Sequence, residues 1–411
     1  MSVINKFRKI INYGLSEGML KLLPFIILPV LSNKLGVEEF SKVVMYQNLV
    51  MIFLPLLSLG MSNYLITALH VNDSNYKLAK ALPLCIGISF LVFTFLFIFL
   101  NVFYQNKIAF FALIFAITQS FFVLNKDLLV HLGKDSSFLK INVIYSVFIY
   151  SLLLFFLFYY ESKWEIRFYA DIAVGFLFVT IFLSKIHFFK NIKLFSPLRE
   201  VALCREIISF SSPAIFRQLH IWVKFGIERY IIAIFLGASF VGMHGLSMQL
   251  SSILLIMSGI LLMVMQPLIY TSIKSLSFSR LVKLGAVYFI MVSILGLVIY
   301  ILIQMFFFKL FSSDYLLVLD TFKYAMITIY IYCLTLFILP IFNVFRKNRL
   351  SAIFTVIFLI SYAATLYLAN YYFEVSFSNV LTISLLFEIM YLIFVSVSSF
   401  YIFKEHLSNE N

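Results

Sequence analysis

Arg217, Lys224, Glu228 and Arg229 lie in one stretch, about 207–236, that otherwise has the composition of a membrane-spanning helix. At 100° per residue, Arg217, Lys224 and Glu228 share a narrow stripe, with His220 beside it and Arg229 on one flank. A charge at the bilayer centre costs roughly 2.5–3.5 kcal/mol on insertion scales, so an idle one is rare. Arg offers phosphate oxygens a planar fork and Lys a mobile point charge. Arg217 and Lys224 are therefore candidate contacts for an anionic substrate, in a stripe that lines a wet cavity. The competing account is internal: Glu228 pairs with Lys224, one turn away, or with Arg229, and the charges neutralise one another. Arg229, nearer the outer end, fits such a structural lock.

Other charges fall at comparable depths. Glu17 and Lys21 in the first apolar span are spaced i,i+4 with the acid first, the favourable order for a helix pair. They line the opposite cavity wall or form a buried bridge. Asp320 and Lys323 repeat the pattern near the start of the tenth span, where a snorkelling structural role is simpler. Asp171 near the start of the sixth span and Glu388 in the twelfth are read as lacking a local basic partner, which makes them, with Glu228, candidate ion-coupling carboxylates. Tyr46 and Gln47 are candidates to stack on and hydrogen-bond sugar rings. His220 and His244 are read as core histidines, and Lys126 and Asp127 as an anchor at a helix end. No cofactor is expected beyond H⁺ or Na⁺ as a coupling ion.

These residues need helices to hold them. The chain has 411 residues, 63% hydrophobic and 12% charged, with 50 Phe and 24 Tyr, and a mean hydropathy of +1.04. A soluble protein is about half apolar and a quarter charged. The apolar residues come in runs of about twenty, the length that crosses a hydrocarbon core of roughly 30 Å. Twelve spans are expected: 11–32, 43–66, 81–103, 108–130, 138–159 and 167–188, then 207–236, 240–269, 281–304, 316–342, 350–371 and 378–402. The fold class is an all-α polytopic membrane protein in two six-helix bundles, 1–190 and 207–411, joined by a basic cytoplasmic linker at 191–206. Lys6, Arg8 and Lys9 precede an apolar segment too long for a cleavable signal, so the first helix is expected to stay.

The net charge of +13 raises the question of nucleic acid, but the basic residues sit in short loops beside the apolar runs, as the positive-inside rule requires. With the N-terminus in the cytoplasm, basic residues favour that side by roughly three to one, which places both termini inside. Cys85, Cys204 and Cys333 are too scattered for a metal site or disulfide framework and read as buried structural thiols. An internal repeat supports two halves. Leu35-Gly36 follows the first span and Leu236-Gly237 the seventh, and five residues after each glycine comes a small residue, Ser41 and then Gly242. An even number of spans per half gives parallel repeats related by a pseudo-twofold axis, with sites near the midplane.

The stretch Leu28-Pro29-Val30-Leu31-Ser32-Asn33-Lys34-Leu35-Gly36-Val37-Glu38-Glu39-Phe40 resembles the first-loop signature of Wzx-type polysaccharide flippases, within the multidrug/oligosaccharidyl-lipid/polysaccharide exporter superfamily. Tyr46-Gln47 and Ser58-Leu59-Gly60-Met61 are similar to that family's second helix, and Glu228-Arg229-Tyr230-Ile231-Ile232 to its acidic-Arg-aromatic motif. Ser41 stands where the family usually has glycine, and Glu228 where aspartate is commoner. The resemblance implies V-arranged bundles around a central cavity that opens alternately to each face of the bacterial inner membrane. The implied cargo is an oligosaccharide repeat unit on undecaprenyl pyrophosphate, for O-antigen, lipopolysaccharide or capsule synthesis. The implied partners are that lipid-linked oligosaccharide, membrane lipid and the polysaccharide polymerase machinery, with no nucleic acid. A sugar pyrophosphate cannot cross hydrocarbon with its polar groups unpartnered, and a cationic wet cavity supplies partners.

Two rivals remain. A cation-coupled drug exporter of the same superfamily calls for acidic groups, whereas this set of residues is net positive. A membrane enzyme, such as a polymerase or glycosyltransferase, calls for a large external loop or an acidic cluster. The external loops here are about ten residues or shorter, with no Asp-x-Asp. A non-enzymatic transporter is the expectation.

Overall fold

The computed structural model describes residues 3–62, 64–65, 75–132, 134–160, 163–185, 201–345, 347–372 and 376–410. Among them there is no β-strand, as expected for a chain in hydrocarbon, where only helices and closed barrels satisfy every backbone group. The helices are α1 (Val3–Ser58), α2 (Asn75–Phe103), α3 (Lys107–His131), α4 (Asp135–Tyr159), α5 (Glu165–Lys185), α6 (Val201–Phe235), α7 (Ala238–Lys274), α8 (Phe278–Leu310), α9 (Leu316–Ile338), the short α10 (Pro340–Val344), α11 (Asn348–Tyr372) and α12 (Phe377–Glu410). Among the described residues, nine of these are long and apolar enough to cross a membrane. Each of the twelve expected spans overlaps one or two of these helices, and α1 carries two of them.

The join inside α1 is Gly36, whose φ of 71° and ψ of 172° break the helical path. Only glycine adopts that region without strain. Gly237, between α6 and α7, has nearly the same backbone, φ 99° and ψ 173°. The Leu-Gly repeat is thus a repeated backbone corner as well as a repeated dipeptide. Nothing lies within 4 Å of a Cβ built on either glycine, so the demand there is conformational. Gly242 meets a different demand: its Cβ would come within 2.7 Å of the Val37 carbonyl oxygen and 3.5 Å of Ser41 Cβ. The two small residues that follow the repeated corners pack against each other.

Gly36→Ala is expected to cost about 1–3 kcal/mol through backbone strain. Gly242→Ala is expected to cost a similar ~1–3 kcal/mol, because a carbonyl cannot rotate aside as a side chain can. Thermal unfolding of the detergent-solubilised variants checks both.

The second span is interrupted at Leu59 and Gly60, which its hydropathy did not suggest, and residues 61–62 and 64–65 are helical again. Leu59 and Gly60 have φ of 46° and 66°, and the Leu59 N–H closes the helix on the Pro55 carbonyl.

The chain forms two compact units, Met1–Leu35 with Lys42–Val223, and Gly36–Ser41 with Lys224–Asn411. Residues 186–200, which include most of the expected linker at 191–206, lie outside the described residues, and α6 starts at Val201. In the first unit α5 packs on α3 and α4. Phe122, Tyr145, Ile149, Val174 and Phe178 form a core there, with the Phe122 and Tyr145 rings stacked at 3.8 Å. Gly175 lets α5 approach α3, since a Cβ there would collide with Thr118. In the second unit α9 is central, against α7, α8 and α12. Polar links tie it in: Ser247 to Thr321 at 2.7 Å, Ser258 to Cys333 Sγ at 3.0 Å and the Tyr288 hydroxyl to the Cys333 carbonyl at 3.0 Å. Cys85 and Cys333 are buried, whereas Cys204 is only half-buried.

Candidate functional site

Each unit holds one buried polar cluster. In the first, Asp171 on α5 is 1% exposed. Its Oδ2 accepts from Arg167 Nε at 3.0 Å, one turn earlier on the same helix, and from the Tyr46 hydroxyl at 3.2 Å. The Arg167 guanidinium also lies over the Tyr150 ring, 5.3 Å from its centroid. Beside it, the Tyr145 hydroxyl donates to Gln119 Oε1 at 2.6 Å. The reading of Asp171 as a carboxylate without a local basic partner is corrected here. Arg167 opens the expected sixth span, and the helix, which begins at Glu165, sets it one turn before Asp171 in the i,i+4 position. Asp171 Oδ1 still has no hydrogen-bond partner among the described residues.

This cluster also locates Tyr46. Its side chain is fully buried, among Phe115, Trp164 and Phe168 at centroid distances of 6.2–6.4 Å. The ring has no open face in this structure on which a sugar could stack, which runs against the stacking role expected of it. Gln47 is half-buried.

In the second unit, Glu228 on α6 is 1% exposed and His244 on α7 is fully buried. His244 Nε2 lies 3.4 Å from Glu228 Oε2. Tyr362 on α11 brings its hydroxyl near Glu228 and Ser384, without closing a well-formed hydrogen bond. Glu388 on α12 is buried in the same neighbourhood, electrostatically coupled to Tyr332, Tyr362 and Tyr391. Tyr391 in turn shares a 2.8 Å hydrogen bond with Thr355. Glu228 Oε1, both His244 ring nitrogens, Tyr362 Oη and Arg229 Nε have no hydrogen-bond partner among the described residues. Buried polar atoms are almost always satisfied, so a concentration of unsatisfied ones calls for partners beyond the described side chains. Among the described residues, no group of three or more His, Cys, Asp or Glu is arranged to hold a metal ion.

Lys21 is exposed on α1. The side chains of Glu17, Arg217, His220 and Lys224 lie outside the described residues, so the α6 stripe is represented only by its Glu228 and Arg229 end. Arg229 is buried. Asp320 and Lys323 are both exposed, and no ion pair joins them among the described residues. Arg167, Tyr150, His244 and Tyr362 were not among the expected site residues. Only Arg167 had a readable signal, its i,i+4 spacing from Asp171.

A family model described as "Polysaccharide biosynthesis protein" matches residues 7–273. None of the curated proteins matches the chain. Among solved structures it is similar to a multidrug resistance MATE family transporter of the MOP superfamily in an inward-facing conformation. The TM-score is 0.65 at 12% identity, covering 98% of this chain and 96% of that one. A MATE transporter from Vibrio cholerae gives 0.62 at 15% identity, covering 98% and 97%. A MOP superfamily transporter from Pyrococcus furiosus, whose binding pocket of reverse polarity is taken to suggest a different function, gives 0.53 at 12% identity, covering 96% of each chain. At these identities the likeness establishes the fold.

Proposed function

The chain belongs to the polysaccharide biosynthesis protein family, and from that membership we propose that it is a flippase for a lipid-linked oligosaccharide. The cargo is an oligosaccharide repeat unit on undecaprenyl pyrophosphate, moved across the bacterial inner membrane by alternating access for O-antigen or capsule assembly. The observation that carries this reading is the family match, which runs from the first helix through α7. The protein performs no covalent chemistry in this scheme. Both termini lie in the cytoplasm, and the polymerase machinery takes up the delivered unit.

Arg217 and Lys224 supply the cationic contacts to the pyrophosphate, because a dianionic headgroup needs charge-assisted partners once it leaves water. Lys21 and Glu17 contribute from α1, and Gln47 hydrogen-bonds sugar hydroxyls. Coupling to H⁺ or Na⁺ runs through the Glu228 cluster, with Glu388 beside it. Asp171 is the weaker candidate, since Arg167 already holds it.

Reconstituted vesicles loaded with a fluorescent lipid-linked oligosaccharide test the reading. Arg217→Ala and Lys224→Ala are each expected to slow translocation by about tenfold, the worth of one lost charge-assisted hydrogen bond. Undiminished translocation by the double variant, with insertion intact, overturns the cationic path. Export of cationic dyes without movement of the oligosaccharide replaces the flippase with a drug exporter of the same fold.

A further inference from the structure

A second charged feature lies away from both clusters. A cavity of about 400 Å³ opens on the second unit, lined by Leu254 of α7, by Ser293, Gly296, Leu297 and Tyr300 of α8, and by Lys323, Met326, Ile327 and Tyr330 of α9. Its flank is apolar and outward-facing: Leu297 and Ile327 are exposed, as are Ile290, Ile294 and Ile301 along α8. Its polar content is one ammonium and three hydroxyls, two of which, Ser293 and Tyr330, already share a 2.7 Å hydrogen bond.

Lys323 sits roughly 10 Å along α9 from Leu316 at 1.5 Å per residue. Its ammonium rests 5.3 Å from the Tyr324 ring centroid, with no carboxylate partner among the described residues. Asp320 is one turn nearer the helix start, and residues at this spacing have Cβ atoms about 5–6 Å apart. Two opposite charges on one face that do not join each other leave both ready for an external zwitterion. The helix sets their order as well, with the acid nearer the end of the span and the base deeper.

We propose that this cavity binds a zwitterionic aminophospholipid as a resident lipid, with Lys323 on the phosphate, Asp320 on the primary amine and an acyl chain along Leu254, Leu297 and Ile327. Phosphatidylethanolamine carries both complementary charges, a phosphate for Lys323 and an ammonium for Asp320, on one short headgroup. Phosphatidylglycerol satisfies Lys323 through its phosphate but offers Asp320 only neutral glycerol hydroxyls in place of an ammonium. Phosphatidylethanolamine is therefore preferred on charge complementarity.

Native mass spectrometry of the delipidated full-length protein, with phosphatidylethanolamine or phosphatidylglycerol of identical chains added back, reads this directly. Wild-type protein is expected to retain phosphatidylethanolamine about tenfold better, the factor that one charge-assisted hydrogen bond supplies. Lys323→Met, a substitution at an exposed position, loses both lipids. Asp320→Asn keeps phosphate binding and loses the preference between them. Leu297→Trp, which blocks the mouth without touching either charge, serves as the second loss-of-binding variant. Equal retention of the two lipids by wild type, or unchanged phosphatidylethanolamine binding in Lys323→Met, overturns the proposal. No transport is measured, so the result stands or falls separately from the flippase reading.

Discussion

Arg167→Ala is expected to destabilise the protein by about 3–5 kcal/mol, the cost of leaving one member of a buried ion pair without its partner. The magnitude follows from the surroundings of Asp171, which is 1% exposed and has only Arg167 and Tyr46 as hydrogen-bond partners on Oδ2. Removing the guanidinium leaves a carboxylate that must be neutralised or carried at several kcal/mol. Tyr46→Phe removes one hydrogen bond and keeps the packing against Phe115, Trp164 and Phe168, so its cost is about 1–3 kcal/mol. The double variant Arg167→Met/Asp171→Leu separates the two accounts. If the cluster only fills the core, replacing both charges with apolar groups of similar volume restores most of the stability. Unfolding midpoints in detergent rank the variants, and wild-type stability in Arg167→Ala rules out an ionised Asp171.

The same cluster shows where legibility stopped. Span positions could be read because each helix in a bilayer satisfies its own backbone, so hydropathy along the chain is enough to place it. The corners at Gly36 and Gly237 could be read because a single residue type tolerates that backbone. The Arg167 pairing with Asp171 was missed because a basic residue at a span end belongs equally to a loop or to a first turn. The Tyr46 contact with Asp171 crosses 125 positions, and Tyr46 looked like a cavity residue only because polar aromatics in lipid-facing spans are uncommon. His244 and Tyr362 sit in unremarkable apolar surroundings in the sequence, and no spacing rule links three separate helices. The charged stripe of α6 was visible from its composition. The structure describes only its Glu228 and Arg229 end.

Glu228→Gln is expected to reduce ion-driven translocation at least tenfold while leaving the fold intact, and it sorts the coupling role from a structural one. Within the described residues, the Glu228 side chain faces the His244 imidazole at 3.4 Å, with Tyr362 beside it and Arg229 adjacent in the chain. Glutamic acid with neutral histidine, and glutamate with imidazolium, carry the same net charge, so one proton can shift within the pair without changing the field around it. Adding or removing a proton does change that field, in an interior where about 2.5–3.5 kcal/mol attends an unbalanced charge. A conformational cycle can be driven by that difference, provided the two states solvate the pair unequally. Glutamine preserves the size and hydrogen-bonding of the side chain and abolishes its titration. Glu228→Asp restores a titratable carboxyl and is expected to recover part of the rate, whereas a purely structural contact would favour the longer amide. Proton and sodium gradients imposed separately on reconstituted vesicles decide which ion is used. Wild-type rates for Glu228→Gln under both gradients remove Glu228 from the coupling path and leave Glu388 as the acid to test next.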